Sequence, residues 1–165
     1  MPGEGTRGAR VVVVGEGPGR QEDATGRPFV GRAGRLLDEL LRHAGLGRSD
    51  VYITNVLKDR AASPGSPPRD RPPGPAEVRA CLPWLELQLG LIRPRIIVTL
   101  GRHSLEALLP GARIARVHGR PQRRGGRTIL PLYHPSYALH NPAARPILFR
   151  DVRALRALVR GRSPA

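Results

Sequence analysis

The sequence predicts an α/β fold, a parallel sheet covered on both faces by helices, and three observations carry that reading. Short runs of β-branched apolar residues recur along the chain, amphipathic stretches of helical spacing separate them, and a glycine or a polar residue stands where each run ends. The 165 residues suit a single domain, 1–165, with one substantial core. No internal repeat points to a solenoid.

Residues 1–9 are rich in glycine and charge and are expected to be flexible. Val11–Val14, four valines closing on Gly15, read as a buried strand over about 10–14. A glycine-rich turn follows, and a helix from near Ala33 places Ala33, Leu36, Leu37, Leu40, Leu41 and Ala44 on one face. Gly45 stops that helix. Val51–Thr54 is a second short strand and ends at Asn55. Residues 59–75 hold six prolines (Pro64, Pro67, Pro68, Pro72, Pro73 and Pro75) and fit no regular element. A loop of that length inside a domain is functional or disordered.

Helical spacing returns from about Ala76, with Val78, Cys81, Leu82, Leu85, Leu89 and Ile92 in register, and Trp84 is expected to pack. Ile96–Leu100 is a third buried strand, followed by Gly101 and a helix across Ser104–Leu109. Residues 112–126 are basic and punctuated by glycine. Thr128–Leu132 forms the fourth strand and runs into Tyr133-His134-Pro135-Ser136. A closing helix over about 146–160 turns Leu148, Val152, Leu155 and Val159 inward and leaves Arg150, Arg153, Arg156 and Arg160 as a solvated outer stripe.

Lys and Arg number 28 against 13 Asp and Glu, a formal charge of +15, and Lys58 is the only lysine. That excess favours a polyanionic partner. Nucleic acid is preferred to a membrane surface, because no apolar run approaches the ~18 residues of a spanning helix and no signal peptide opens the chain. A single cysteine, Cys81, excludes an internal disulfide and fits a cytoplasmic protein. A dinucleotide-binding role fails on spacing: Gly15 and Gly17 require a third glycine at position 20, which is Arg20. Glu16, Glu22 and Asp23 in the same turn would repel a pyrophosphate. Glu22 and Asp23 are read as organising their loop. His43, His103, His118 and His140 show no metal-ligand spacing.

Three strand ends carry polar residues: Glu16, Asn55 and His134. In a parallel sheet these ends share one edge, so residues far apart in sequence can line one pocket. Phe29 lies in the loop after the first strand. Alone, Asn55 or His134-Pro135 would be a turn and Phe29 a core residue. Their joint order on one sheet edge points to a site.

The segments GEGPG (15–19), GRPFVGRAG (26–34), YITNV (52–56), IIVTLG (96–101) and YHPSYALHNP (133–142) resemble the uracil-DNA glycosylase superfamily, in particular its thermostable bacterial and archaeal family 4 branch. The resemblance runs from about residue 11 to 159. It implies a three-layer α/β/α sandwich around a four-stranded parallel sheet. It also implies an enzyme of base-excision repair that hydrolyses the N-glycosidic bond of uracil in DNA and leaves an abasic site. His134 would be a neutral donor to uracil O2 as charge collects there, assisted by the Gly17 N–H. Asn55 would give N–H to O4 and accept from N3–H, a pattern that cytosine reverses. Phe29 would stack on the flipped base, and Glu16 would position water or stabilise the cationic sugar. Pro135–Asn141 resembles the family's wedge loop, with Leu139 as wedge and Ser136 as phosphate contact. Flanking arginines would add sequence-independent binding to uracil-containing DNA.

The chain departs from that branch in its cysteines. Members usually hold a [4Fe–4S] cluster on four, two before the first strand, one after the asparagine strand and one in the next helix. Here the first strand comes too early for the first pair, Asp59 stands at the third position, and only Cys81 matches. One thiolate cannot hold such a cluster, so neither cluster nor metal is expected. The 59–75 loop would then be stiffened by its prolines and by Asp59 pairing with an arginine; Asp70-Arg71 replaces an expected Asn-Arg. The protein is expected to act as a monomer without an obligate protein partner. Alternatives are a catalytically weakened DNA-binding member of the fold, or a glycosylase for another deaminated base. A branch that traps the abasic sugar covalently is disfavoured, because 59–75 lacks the histidine of its extra basic loop.

Overall fold

A computed structural model describes residues 1–161. The chain opens with β1 (Glu4–Gly5) and β2 (Val11–Gly15), followed by α1 (Arg20–Thr25), α2 (Arg32–His43) and β3 (Val51–Asn55). Two short strands, β4 (Ala62–Ser63) and β5 (Arg69–Asp70), precede α3 (Pro75–Ile92), β6 (Ile96–Leu100) and α4 (Arg102–Leu108). Then come α5 (Ile114–Val117), β7 (Gln122–Arg124), β8 (Arg127–Leu132), α6 (Pro135–His140) and α7 (Arg145–Val159).

The central strands run parallel in the order β3-β2-β6-β8, the four-stranded sheet that was expected. Two short antiparallel strands extend it to six, β1 beside β3 and β7 beside β8. Side chains alternate along a strand, and Val11–Val14 send that alternation to opposite faces. Val11 and Val13 meet Leu36, Leu37, Leu40 and Leu41 of α2 and Leu148, Val152 and Leu155 of α7. Val12 and Val14 meet Leu85 and Leu89 of α3, with Leu108 of α4 at the margin. The result is a three-layer α/β/α sandwich.

Four local expectations need correction. Residues 1–9 are tied down: Glu4 pairs with Ile53 and Gly5 with Tyr52, while the Pro2 carbonyl accepts from Thr54 Oγ1 and Tyr52 Oη. Glu4 also pairs with Arg27 at 2.8 Å and with Arg48 at 3.5 Å. Trp84 does not pack; it is 61% exposed, on an outer face of α3 shared with Leu87 and Leu91. There it stands about a third of a turn from the stripe of Val78, Leu82, Leu85 and Leu89 that meets the sheet, so the helical period itself turns the tryptophan outward. Pro135–His140 is a helix rather than a loop.

The fourth correction concerns 59–75, where β4 and β5 form a two-residue ladder. Among the described residues Asp70, not Asp59, makes the arginine pair: Arg60 Nε lies 2.6 Å from Asp70 Oδ1. Arg71 donates twice to Glu77 at 2.8 Å, and the Gly74 N–H donates to the same carboxylate at 2.7 Å. The Arg71 guanidinium, with the Gly74 N–H second, pulls the Glu77 carboxyl down to about 2. These ties return the loop to the sheet edge. The variant Asp70→Ala/Arg71→Ala should be cut faster within 59–75 in limited proteolysis while its melting temperature moves by no more than a few degrees, because the loop's ties are local and surface ion pairs contribute little to global stability.

Candidate active site

The register of the sheet assembles the site. Gly15 and Asn55 are direct partners across β2 and β3, and Leu100 and Leu132 across β6 and β8. The residues just beyond those positions therefore emerge on one edge. They line a cleft of about 590 Å³ that contains Glu16, Gly17, Phe29, Asn55, His134 and Ser136. The convergence expected of Glu16, Phe29, Asn55 and His134 is present, with Gly17 and Ser136 beside them. Leu139, the seventh, does not line the cleft; it is half-buried against the α2–α7 side of the core. Tyr137, two residues earlier, lines the cleft and is 46% exposed.

Asn55 is 2% exposed, and its Oδ1 has no hydrogen-bond partner among the described residues. A buried acceptor left unpaired costs about 1–3 kcal/mol, so the site is set for a donor. Gly15 makes room for that amide. A Cβ there would fall 2.3 Å from Asn55 Oδ1 and 2.6 Å from Phe29 Cζ. The glycine serves close approach of the asparagine and the aromatic ring, a purpose the failed nucleotide motif did not reveal.

Phe29 sits at φ 52°, the left-handed region, which costs a non-glycine residue about 1–2 kcal/mol. Three contacts hold it there. Arg48 donates to the carbonyls of Pro28 and, at 3.1 Å, of Phe29. The Glu22 carboxylate accepts from the N–H groups of Val30 and Gly31, each at 2.9 Å. Gly34 packs so tightly that a Cβ would fall 1.8 Å from the Phe29 oxygen. Glu22 thus organises its loop as anticipated. Arg48 gave no sequence signal, being 19 residues from the ring it positions.

His134 caps α6. Its Nδ1 accepts from the Ser136 N–H at 3.1 Å and faces Ser136 Oγ at 2.7 Å. With Nδ1 so occupied, the proton of the neutral ring belongs on Nε2, which leaves a donor for a ligand. Burial pushes the imidazole down to about 4, against an opposing pull from Glu22. Gly101, at φ 86°, lets the chain pass the ring, since a Cβ would lie 3.1 Å from that of His134. Its ring centroid is 5.7 Å from that of Phe29, at 29°. Ser136, expected as a phosphate contact, turns its hydroxyl to this histidine instead.

Glu16 follows β2, and His103 Nε2 lies 3.8 Å from its Oε2. His118 is structural, with Nδ1 2.5 Å from Asp151 Oδ2 and its ring against Tyr133. Cys81 Sγ accepts the Lys58 N–H at 3.4 Å. The chain has no second cysteine, and among the described residues no three His, Cys, Asp or Glu side chains gather to hold a metal. This donor set does not fit a four-thiolate iron–sulfur cluster. No helix among the described residues is long and apolar enough to cross a membrane.

Comparison with known proteins agrees with this geometry. The family model for the uracil DNA glycosylase superfamily matches residues 2–156. The chain is 44% identical to the type-4 uracil-DNA glycosylase of Thermotoga maritima, over 96% of this chain and 82% of that one. It is 42% identical to the type-4 enzyme of Archaeoglobus fulgidus, over 99% and 84%. A type-5 uracil-DNA glycosylase of Thermus thermophilus is 38% identical, over 82% and 68%.

Two measurements check the site. In an NMR titration the His134 ring should stay neutral until about pH 4, where an ordinary histidine charges near ~6.5. Because the unfolded chain binds that proton first, the histidine's contribution to stability is complete above about pH 6.5 and is lost as pH falls toward 4. Gly15→Ala should fold and lose activity by about a hundredfold or more, because it displaces both Asn55 and Phe29.

Proposed function

The chain belongs to the uracil DNA glycosylase superfamily, and from that membership we propose that it hydrolyses the N-glycosidic bond of uracil in DNA, leaving an abasic site for base-excision repair. The observation that carries this reading is Asn55 in the lining of the cleft with Phe29 and His134, its Oδ1 buried and without a hydrogen-bond partner among the described residues. Uracil offers N3–H to that oxygen and O4 to the amide N–H. Cytosine has a bare N3 and an exocyclic donor in those places, so it would leave the oxygen unpaired and oppose two donors. Discrimination then comes from an unmade bond, which costs more than a made bond gains.

Bond cleavage leaves negative charge on the departing base and positive charge on the sugar. The neutral His134, its Nε2–H held outward by Ser136, would donate to uracil O2 as charge collects there, with the Gly17 N–H beside it. A ring already protonated would have to lose its solvation in this buried place; a neutral donor carries no such cost. Phe29 would stack on the extruded base. Glu16 would orient the attacking water or stabilise the cationic sugar, with His103 steadying its carboxylate. Tyr137 at the rim and Leu139 behind it would fill the gap left in the duplex, and surface arginines would grip the phosphates. The protein would work as a cytoplasmic monomer, without metal, iron–sulfur cluster or obligate protein partner.

The test is a labelled uracil-containing oligonucleotide, incubated and then treated with alkali. Wild type should cleave it and ignore the cytosine and thymine controls. His134→Ala should lose about 10²–10³ in rate, and Asn55→Asp should lose uracil activity to at least a similar degree. Equal cleavage by all three proteins would refute the assignment. Protein purified without oxygen should contain no stoichiometric iron; a broad visible absorption band would overturn the cluster-free reading.

A further inference from the structure

Lys58 lies three residues past Asn55 and is the only lysine in a chain of 27 arginines. Its ammonium turns inward. Nζ donates to the main-chain oxygen of Asn55 at 2.7 Å, to Gln88 Oε1 at 2.8 Å and to Thr54 Oγ1 at 3.1 Å. An ammonium has three donors, and all three are used. A guanidinium presents a planar fork and cannot converge three bonds on one tetrahedral point. That geometry accounts for a lysine here, where the rest of the chain uses arginine.

The neighbouring chain is pinned on both sides. Val56 and Leu57 donate to the carbonyls of Gly15 and Glu16 at 3.0 and 2.9 Å, which extends the β2–β3 pairing past the strand ends. The Asn55 carbonyl points the other way, toward Lys58. Its peptide plane is therefore fixed from one side by β2 and from the other by the ammonium. The Asn55 side chain leaves the Cα next to that plane.

We propose that Lys58 is a positioning residue for Asn55: by clamping the Asn55 carbonyl at the end of β3 it sets the aim of the amide that reads the base. This rests on the role given to Asn55 under the proposed function. Burial pushes Lys58 down to about 8, with the Cys81 thiol pulling the other way. The titratable groups facing it are Cys81 on α3 and the Met1 amino group, which donates to the Lys58 carbonyl; Thr54 and Gln88 are neutral. A deprotonated amine keeps two donors for three acceptors, so the clamp loosens as pH rises through about 8.

The experiment compares wild type, Lys58→Met and Lys58→Arg on the uracil oligonucleotide and in inhibition by free uracil, from about pH 6 to about pH 10, with thermal melts as the folding check. Lys58→Met should lose about tenfold or more in kcat/KM and weaken inhibition by free uracil in parallel. Wild type should lose both through pH 8, and Lys58→Met should lack that decline. Lys58→Arg, charged throughout but wrongly shaped, should resemble Lys58→Met. A Lys58→Met protein with a raised KM for DNA, unchanged uracil inhibition and the wild-type pH profile would overturn the proposal, since Lys58 would then only hold its loop. If Lys58→Met does not fold, the wild-type profile decides: uracil inhibition constant through pH 8 overturns it. A wild type that cleaves no uracil-containing DNA contradicts the proposed function itself, a result distinct from an active wild type matched by Lys58→Met.

Discussion

An amide oxygen buried without a partner, Asn55 Oδ1, is held against a glycine and beside a phenylalanine, and much of the structure serves to keep it there. Such an oxygen raises the energy of the free protein by about 1–3 kcal/mol. It persists because its surroundings leave it no alternative. Gly15 faces it across the β2–β3 register, Phe29 closes one side, and Lys58 fixes the peptide behind it. A ligand with a donor in the right place recovers that energy, and a ligand without one does not. Selectivity of this kind follows from the fold before any base arrives.

The same arrangement places strain around Phe29. Its left-handed backbone is held in place by Arg48, Glu22 and the close packing of Gly34. Arg48 is itself anchored by Asp38 at 3.2 Å and by Glu4 at 3.5 Å. The N-terminal strand is thereby linked, through the Glu4–Arg48 ion pair and the Arg48 hydrogen bond to the Phe29 carbonyl, to the orientation of a ring in the cleft. His134 is treated similarly: Ser136 fixes its tautomer and Gly101 gives it room. Each side chain that would touch the base is held by a neighbour that would not, as preorganised sites require.

The strand ends were legible in the sequence because parallel strands of valine and isoleucine can only be buried, and burial puts their polar successors on one edge. Glu16, Asn55 and His134 could be read from that edge, and the family resemblance gave them roles and set Phe29 beside them. What could not be read depended on partners remote in sequence. β1 forms only because Tyr52 and Ile53 offer it an edge, and nothing in a run of glycine and charge announces that edge. Arg48 and Ser136 act through main-chain groups, which leave no pattern. Trp84 stands off the stripe of Val78, Leu82, Leu85 and Leu89, on the outer face of α3 with Leu87 and Leu91, so its exposure follows the helical period, and the expectation that it packs rested on its being a tryptophan. Lys58 did leave a trace, as the one lysine among arginines, but its meaning needed the three acceptors around it.

The most direct measurement is a crystal structure of the protein grown with free uracil. The account predicts the base in the cleft, N3–H on Asn55 Oδ1, O4 on the Asn55 amide nitrogen, O2 facing His134 Nε2, and the Phe29 ring against the pyrimidine face. A cleft that excludes uracil at saturating concentration, or a base bound with Asn55 Oδ1 still unpaired, would contradict it.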